Sequence, residues 1–442
     1  MSEVGGPRSC DALVFLRHRA LSFVCPIKRA VSIEQTLALA FAFDIGRRTS
    51  DITKTSDITK IDELLPAAMS SVSVPRVTTT EPTRDSSLPP TGQATRHLRR
   101  EIVAMNGYTP GEQVRDCIKL NTNECAWGPS PRTQQILANI GDDHLRLYPD
   151  PVFRQLREAA ASCYDISPNQ VLAGNGSDDC LTIIYRAFLN PGDVVASPWP
   201  TYGLYDTLAT LQGVQMTHVD YRVDEKTWHL PHHLAKQGAK VVLVANPNNP
   251  SATLTPVDQL RQLAYETDGI LVVDEAYIDF APEGSSLLPH LASHPNLIVL
   301  RTFSKSYSLA GARLGLLFAH PDMVTHLMKV KDSYNVNALT QALGVAALED
   351  RDYHRELVKN TLKERARLES ELTKLGWKWP QSAGNFLLCE VGERAGAIYC
   401  ALKDRGVLVR WWDRPLLSSK LRITVGRPEQ TDLLMKHLKD LA

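Results

Sequence analysis

Lys305 follows an apolar run, Ile298–Leu300, by way of Arg301-Thr302-Phe303-Ser304. A lysine amine desolvated there, close to other cations, loses its proton near neutral pH and becomes a nucleophile toward a carbonyl carbon. Arg313, a few residues on, supplies one such cation. Asp274 closes a second apolar run, Ile270–Val273, so its carboxylate stands at the rim of a desolvated sheet. It needs a cationic partner or strong hydrogen bonds there. Read by itself, Asp274 is a helix N-cap with Glu275 and Tyr277 as solvated neighbours.

Three further runs end in polar or aromatic groups. Gln170–Leu172 leads to Gly174-Asn175-Gly176-Ser177-Asp178-Asp179, which opens a helix; Val194–Ala196 leads to Pro198-Trp199-Pro200-Thr201-Tyr202; Val241–Ala245 leads to Asn246-Pro247-Asn248-Asn249-Pro250. Glycines ahead of Ser177 let backbone N–H groups approach an anion at a helix N-terminus. Ser304 and Arg313 add a hydroxyl and a guanidinium, so a phosphate is the guest that fits. Alone, such a Gly-rich turn marks only a strand-to-helix turn. Together the five strand ends offer an amine for a carbonyl, a carboxylate for a pyridinium nitrogen, a stacking aromatic, an anion cradle and an asparagine. That combination describes a pyridoxal phosphate site.

The elements that must position these groups are legible in the periodicity. Short Val/Ile/Leu-rich runs, with Leu314–Ala319 as the sixth, alternate with amphipathic stretches such as Val152, Leu156, Ala159, Ala160 and Cys163. Strand–helix alternation predicts an α/β fold, a mostly parallel mixed sheet sandwiched by helices. Ligands of such sheets bind past the carboxyl ends of the strands. A helical region, Ala338 to Leu375, leads to a smaller α+β unit with strands near Phe386–Glu390, Val407–Arg410 and Leu421–Val425. The expected segments are a disordered or poorly ordered extension over 1–95, an N-terminal arm and small-domain segment over 96–145, a large domain over 146–335 and a small C-terminal domain over 336–442.

Composition excludes several classes. The chain has 442 residues, and Lys+Arg and Asp+Glu both count 49. That balance gives no support for a nucleic-acid or membrane-surface partner. No apolar run approaches the ~20 residues of a membrane helix. Eight cysteines without a CxxC pair read as reduced thiols, and the 13 histidines form no metal-ligand set. Residues 65–95 hold 16 Ser, Thr or Pro and follow a tandem TSDITK, which is the basis for reading the extension as poorly ordered. Arg17–Phe43 is its most transit-like part, yet residues 1–95 carry 10 acidic side chains, which organellar transit peptides avoid. The location read from this is cytoplasmic.

From about residue 98 onward the chain resembles the fold-type I pyridoxal-phosphate aminotransferases, specifically the histidinol-phosphate aminotransferase family. The resemblance rests on motifs in family order: Lys119-Leu120-Asn121-Thr122-Asn123-Glu124, Leu147-Tyr148-Pro149-Asp150-Pro151, Gly174 to Asp178, Pro200-Thr201-Tyr202, Asn246 to Pro250, Val273 to Tyr277, Phe303-Ser304-Lys305 and Leu421 to Gly426. It implies that Lys305 bonds the cofactor aldehyde and shuttles a proton, that Asp274 partners the pyridine nitrogen, and that Tyr202 stacks on the ring. It gives Tyr277 and Asn249 to the ring 3′-oxygen, and Gly176, Ser177, Asp178, Ser304 and Arg313 to the cofactor phosphate. Tyr148 matches a tyrosine that reaches the phosphate from the other subunit, which implies a homodimer. Arg422 matches the keto-acid arginine, Arg410 a second substrate arginine, and Tyr108 and Asn123 lid or substrate contacts.

The implied reaction is transamination between L-histidinol phosphate and 2-oxoglutarate. The rivals are an aromatic or broad-range aminotransferase, a threonine-phosphate-type decarboxylase on the same fold, and a non-catalytic regulator with a DNA-binding arm. The chain departs from the family pattern at Cys125, Asp179, Ser251-Ala252, Ser333, Trp411-Trp412 and Arg427.

Overall fold

Six of the apolar runs fold into one seven-stranded sheet. In spatial order its strands are Val171–Gly174, Gly315–Phe318, Leu297–Thr302, Ile270–Asp274, Val241–Ala245, Val194–Trp199 and Gln215–Asp220. Gly315–Phe318 runs antiparallel to both neighbours, and the other pairs of adjacent strands are parallel. The structure is a computed structural model that describes residues 95–441. The expectations for residues 1–95 lie, Thr95 aside, outside the described residues.

Every residue of Val241–Ala245 and of Leu297–Thr302 is buried. Continuous apolar runs of this kind belong to strands covered on both faces, as parallel sheets are. The seventh strand, Gln215–Asp220, lies at the edge and only Val219 of it is buried, which is why no apolar run announces it. Ser177–Phe188 forms the helix read from the Gly-rich turn; it buries Cys180, Leu181, Ile183, Ile184 and Tyr185 and packs on Gly315–Phe318 and Val171–Gly174. The Val152–Cys163 periodicity appears as the helix Arg154–Tyr164, with Leu156, Ala160 and Ala161 buried.

The helical region after Ala338 is two helices, Ala338–Glu349 and Arg351–Lys374, not one. Asp350 breaks it (φ −94°, ψ 61°), its carboxylate held by the Ser130 hydroxyl. Beyond it, Phe386–Glu390 pairs antiparallel with Lys420–Thr424, and Ile118–Lys119 pairs in parallel with Val407–Leu408. Leu120, Leu387, Cys389, Val407, Leu421, Ile423 and Leu434 form the core of this part. A bridge sets Arg410 opposite Arg422, so both side chains leave the same face.

Candidate active site

All five strand ends reach one cavity of about 680 Å³. Its lining includes Ser177 and Asp178, Trp199 to Tyr202, Asn249, Asp274 and Tyr277, and Ser304 and Lys305. Arg313, Arg410 and Arg422 complete the cationic side, and Met105 to Gly111 with Asn121 to Glu124 cover it from the N-terminal part of the chain.

Lys305 Nζ donates to the Thr122 carbonyl at 2.9 Å and lies 5.7 Å from the Tyr277 ring centroid. Burial pushes the amine down to about 8, and the nearby charges of Arg422 and Arg313 act the same way against the attraction of Glu124 and Asp178. Asp274 is buried, its Oδ2 accepting from Tyr205 Oη (3.0 Å) and its Oδ1 from the Ala276 N–H (3.1 Å). Burial lifts its carboxyl to about 6, because neither donor carries a charge and Asp178 and Glu275 repel it.

The anion cradle is built by close backbone approach. Gly176 has φ +87°, and a Cβ there would lie 2.4 Å from Arg313 Nη2. A Cβ on Gly315 would lie 2.3 Å from the Ser177 nitrogen, so the turn can sit on the antiparallel strand only because residue 315 has no side chain. Arg313 donates to Ser304 Oγ (3.3 Å) and to Asp178 Oδ2 (3.1 Å), and Tyr202 Oη donates to Asp178 Oδ1 (3.2 Å).

At the other end, Arg422 donates from Nη1 to Asn249 Oδ1 and from Nη2 to the Asn121 carbonyl, both at 2.6 Å, while its buried Nε has no hydrogen-bond partner. Burial lowers this guanidinium to about 10. Asn123 donates to Tyr277 Oη at 3.0 Å, and burial raises that phenol to about 12. Arg410 holds the Thr109 and Pro110 carbonyls at 3.1 and 3.2 Å, and both arginines lie 5.2 Å from the Trp412 ring centroid. Tyr108 meets Tyr202 edge-on at 5.6 Å.

Of the candidate site residues from the sequence, Gly176 and Tyr148 stand outside this lining: Gly176 directly precedes Ser177, which does line it, whereas Tyr148 is 81% exposed and stacks on Tyr334 at 4.4 Å. Glu275 and Tyr277, solvated on the single-residue reading of Asp274, are both buried. Glu275 points away from water because its neighbour Asp274 takes the cavity side. Thr122, Tyr205, Gly315 and the ring of Trp412 contribute without having been given a role from sequence. For Thr122 and Gly315 the contribution is backbone, which residue type does not advertise. Arg427, one of the departures, donates to the Ala126 carbonyl at 2.7 Å.

The donor set fits pyridoxal phosphate. A buried carboxylate with only neutral donors suits a cationic ring nitrogen, a half-buried amine poised near neutrality suits an aldehyde, and a helix N-terminus beside a guanidinium suits a phosphate.

Comparison with known proteins agrees. Residues 115–438 match the family described as aminotransferase class I and II. The chain is 40% identical over 351 residues to histidinol-phosphate aminotransferase 1 of Trichormus variabilis, covering 78% of this chain and 99% of that relative. It is 41% identical over 349 residues to the histidinol-phosphate aminotransferase of Syntrophotalea carbinolica, with shares of 78% and 99%. The crystal structure of histidinol-phosphate aminotransferase from Sinorhizobium meliloti in complex with pyridoxal-5′-phosphate is similar with a TM-score of 0.72. That pair is 27% identical and covers 78% of this chain and 99% of the other.

Proposed function

Because the chain belongs to the class I and II aminotransferases and, within them, to the histidinol-phosphate aminotransferases, we propose that it transfers an amino group between L-histidinol phosphate and 2-oxoglutarate. The products are imidazole-acetol phosphate and L-glutamate, and the biosynthetic direction runs from glutamate toward histidine. Pyridoxal 5′-phosphate, when bound, supplies an aldehyde that carries the amino group and a ring that withdraws electrons from the carbon bearing it.

The chain's residues divide the remaining work. Lys305 Nζ holds the aldehyde and moves the proton on and off the substrate carbon. The Asp274 carboxylate keeps the ring nitrogen protonated. Tyr202 covers the ring face, and Tyr277 and Asn249 orient the 3′-oxygen; Asn249 Oδ1 is already committed to Arg422. Gly176, Ser177 and Asp178 at the helix N-terminus bind the phosphate with Ser304 and Arg313. Arg422 binds the substrate carboxylate and Arg410 the phosphate of histidinol phosphate. Tyr108 and Asn123 close over the substrate. The proposal extends to a cytoplasmic homodimer, in which Tyr148 reaches the partner's cofactor phosphate. Its exposed position outside the cavity supports that reading.

One observation carries the assignment: half-buried Lys305 and buried Asp274, neither with a salt-bridge partner, line the same cavity. The test is borohydride reduction of the holoenzyme with peptide mapping, paired with a transamination assay on histidinol phosphate and 2-oxoglutarate. The adduct is expected on Lys305 and glutamate as product. Trapping at another lysine sinks the residue assignment. Faster turnover of phenylalanine or tyrosine, or CO₂ release without a keto acid, sinks the substrate assignment.

A further inference from the structure

Asp274 and Lys305 face the cavity, but the residue that follows each of them does not. Glu275 and Ser306 turn the other way, into a buried set of polar groups behind the strand ends. Arg301 is its centre. Its Nε donates to Glu275 Oε2 at 2.9 Å, its Nη1 to Asp279 Oδ1 at 2.7 Å and its Nη2 to Ser286 Oγ at 3.1 Å. Glu275 Oε1 accepts the Leu287 N–H at 2.7 Å, and the Glu275 N–H bonds the Leu300 carbonyl at 2.9 Å. Asp279 Oδ2 accepts from Ser306 Oγ at 2.5 Å.

Asp279 therefore touches two chain segments at once. It sits in the turn that follows Tyr277, and it grips Arg301 on the strand that leads to Lys305 and Ser306 just beyond it. The loop after Lys305 is anchored further: Tyr307 Oη bonds Tyr164 Oη at 3.1 Å, and Ser308 Oγ donates to the Trp127 carbonyl at 2.5 Å. His354 stacks on Tyr307 at 4.0 Å, its Nε2 3.7 Å from Asp279 Oδ2.

We propose that Asp279 is a positioning residue, which fixes Lys305 relative to Asp274 by holding Arg301 and the Ser306 hydroxyl together. This rests on the reading that Lys305 and Asp274 are the groups that meet the cofactor. A buried ion network is a weak source of stability, since apolar replacements of similar volume are often neutral. What directional hydrogen bonds supply is a defined geometry, and reaction rates fall about 100-fold for a misplacement of about 1 Å.

The test is Asp279→Asn in the full chain, which keeps the size and removes the charge. Four quantities are measured: the rate at which Lys305 of the apo-protein joins added pyridoxal phosphate, the pH midpoint of the absorbance of that lysine-linked cofactor, kcat against KM, and Tm. The joining rate and kcat are expected to fall by about tenfold or more, with KM within a factor of about two and the midpoint displaced from wild type. Ser306→Ala, which removes one hydroxyl, is expected to move the same quantities less.

A lowered Tm with the joining rate, midpoint and kcat unchanged overturns the proposal. If Asp279→Asn does not fold, Ser306→Ala decides: wild-type values of all three overturn it. Borohydride mapping of the wild type separates the two readings. An adduct away from Lys305 rejects the active-site assignment, whereas an adduct on Lys305 with an indifferent Asp279→Asn rejects only this inference.

Discussion

Two sets of buried charge lie on opposite sides of the same strand ends, and they are satisfied in opposite ways. Behind the cavity, each nitrogen of the Arg301 guanidinium meets an oxygen, and both oxygens of Glu275 and of Asp279 are engaged. Although burial works against ionisation, Arg301 together with His354 and Ser306 holds the Asp279 carboxyl far below the usual carboxylate range. On the cavity side, Lys305 Nζ has one carbonyl, Asp274 has two neutral donors, and Arg422 Nε has no partner. There burial dominates: the amine falls to about 8, the carboxyl rises to about 6 and the guanidinium falls to about 10. The back set spends its bonding capacity on the fold, and the front set keeps it for a ligand. Perturbed groups gathered in a cleft are the physical mark of a functional site, and their well-paired neighbours are not.

The difference predicts opposite responses to mutation. Lys305→Ala has the largest effect on chemistry: turnover falls by on the order of 10⁴-fold, since both the covalent anchor and the proton carrier are lost. The apo-protein's unfolding free energy is not expected to fall, because the lost amine was desolvated without a salt-bridge partner. Single-turnover kinetics and denaturant melts read the two halves. A variant that keeps a tenth of the rate, or that unfolds far more easily, breaks the comparison.

Arginine replacements come next. Arg301→Met leaves Glu275 and Asp279 as uncompensated buried carboxylates and is expected to cost about 3–5 kcal/mol of stability. Arg422→Met removes a buried cation that has no carboxylate partner in the protein. Its apo-protein is expected to be as stable as wild type or more so, while binding of 2-oxoglutarate weakens by about 2–5 kcal/mol. Urea melts of the apo-proteins and a binding titration decide. Equal destabilisation by the two substitutions erases the distinction between the sets.

Asp274 and Lys305 were legible in the sequence because each follows an apolar run, and the rule that ligands sit past the carboxyl ends of strands gathers them; Arg422, inside the run Leu421–Val425, was marked only by the family resemblance. The back set was not. Glu275 reads as a solvated neighbour of Asp274 until the alternation of side chains along extended backbone is applied across the strand end. Arg301 reads as one polar residue after Leu300, and Asp279 lies five residues past the strand end at Asp274; only the fold brings them together. The same limit hid the edge strand Gln215–Asp220, half-polar and with only Val219 buried, and the pairing of Ile118–Lys119 with Val407–Leu408, from distant parts of the chain. The break at Asp350 was invisible for a related reason. No glycine or proline marks it, and the contact with Ser130 that accompanies it is tertiary.

Asp274 provides the finest discrimination, through pH. Its carboxyl sits at about 6 in the folded apo-protein, against the ordinary value of 3.8. Between those two values the folded state binds more protons than the unfolded chain, so this group's contribution to stability declines as pH rises through that window. The span corresponds to about 3 kcal/mol. An asparagine in its place cannot titrate, so the difference in unfolding free energy between wild type and Asp274→Asn is expected to shift against wild type from about pH 4 to about pH 7 and then level off. Cofactor binding is expected to abolish that shift in wild type, since a cationic ring nitrogen beside the carboxylate favours the charged form, and Asp274→Asn is expected to lose nearly all turnover. If the wild-type and Asp274→Asn apo-proteins keep a constant difference across this window, the carboxyl is not held short of partners, and the front set is as well satisfied as the back.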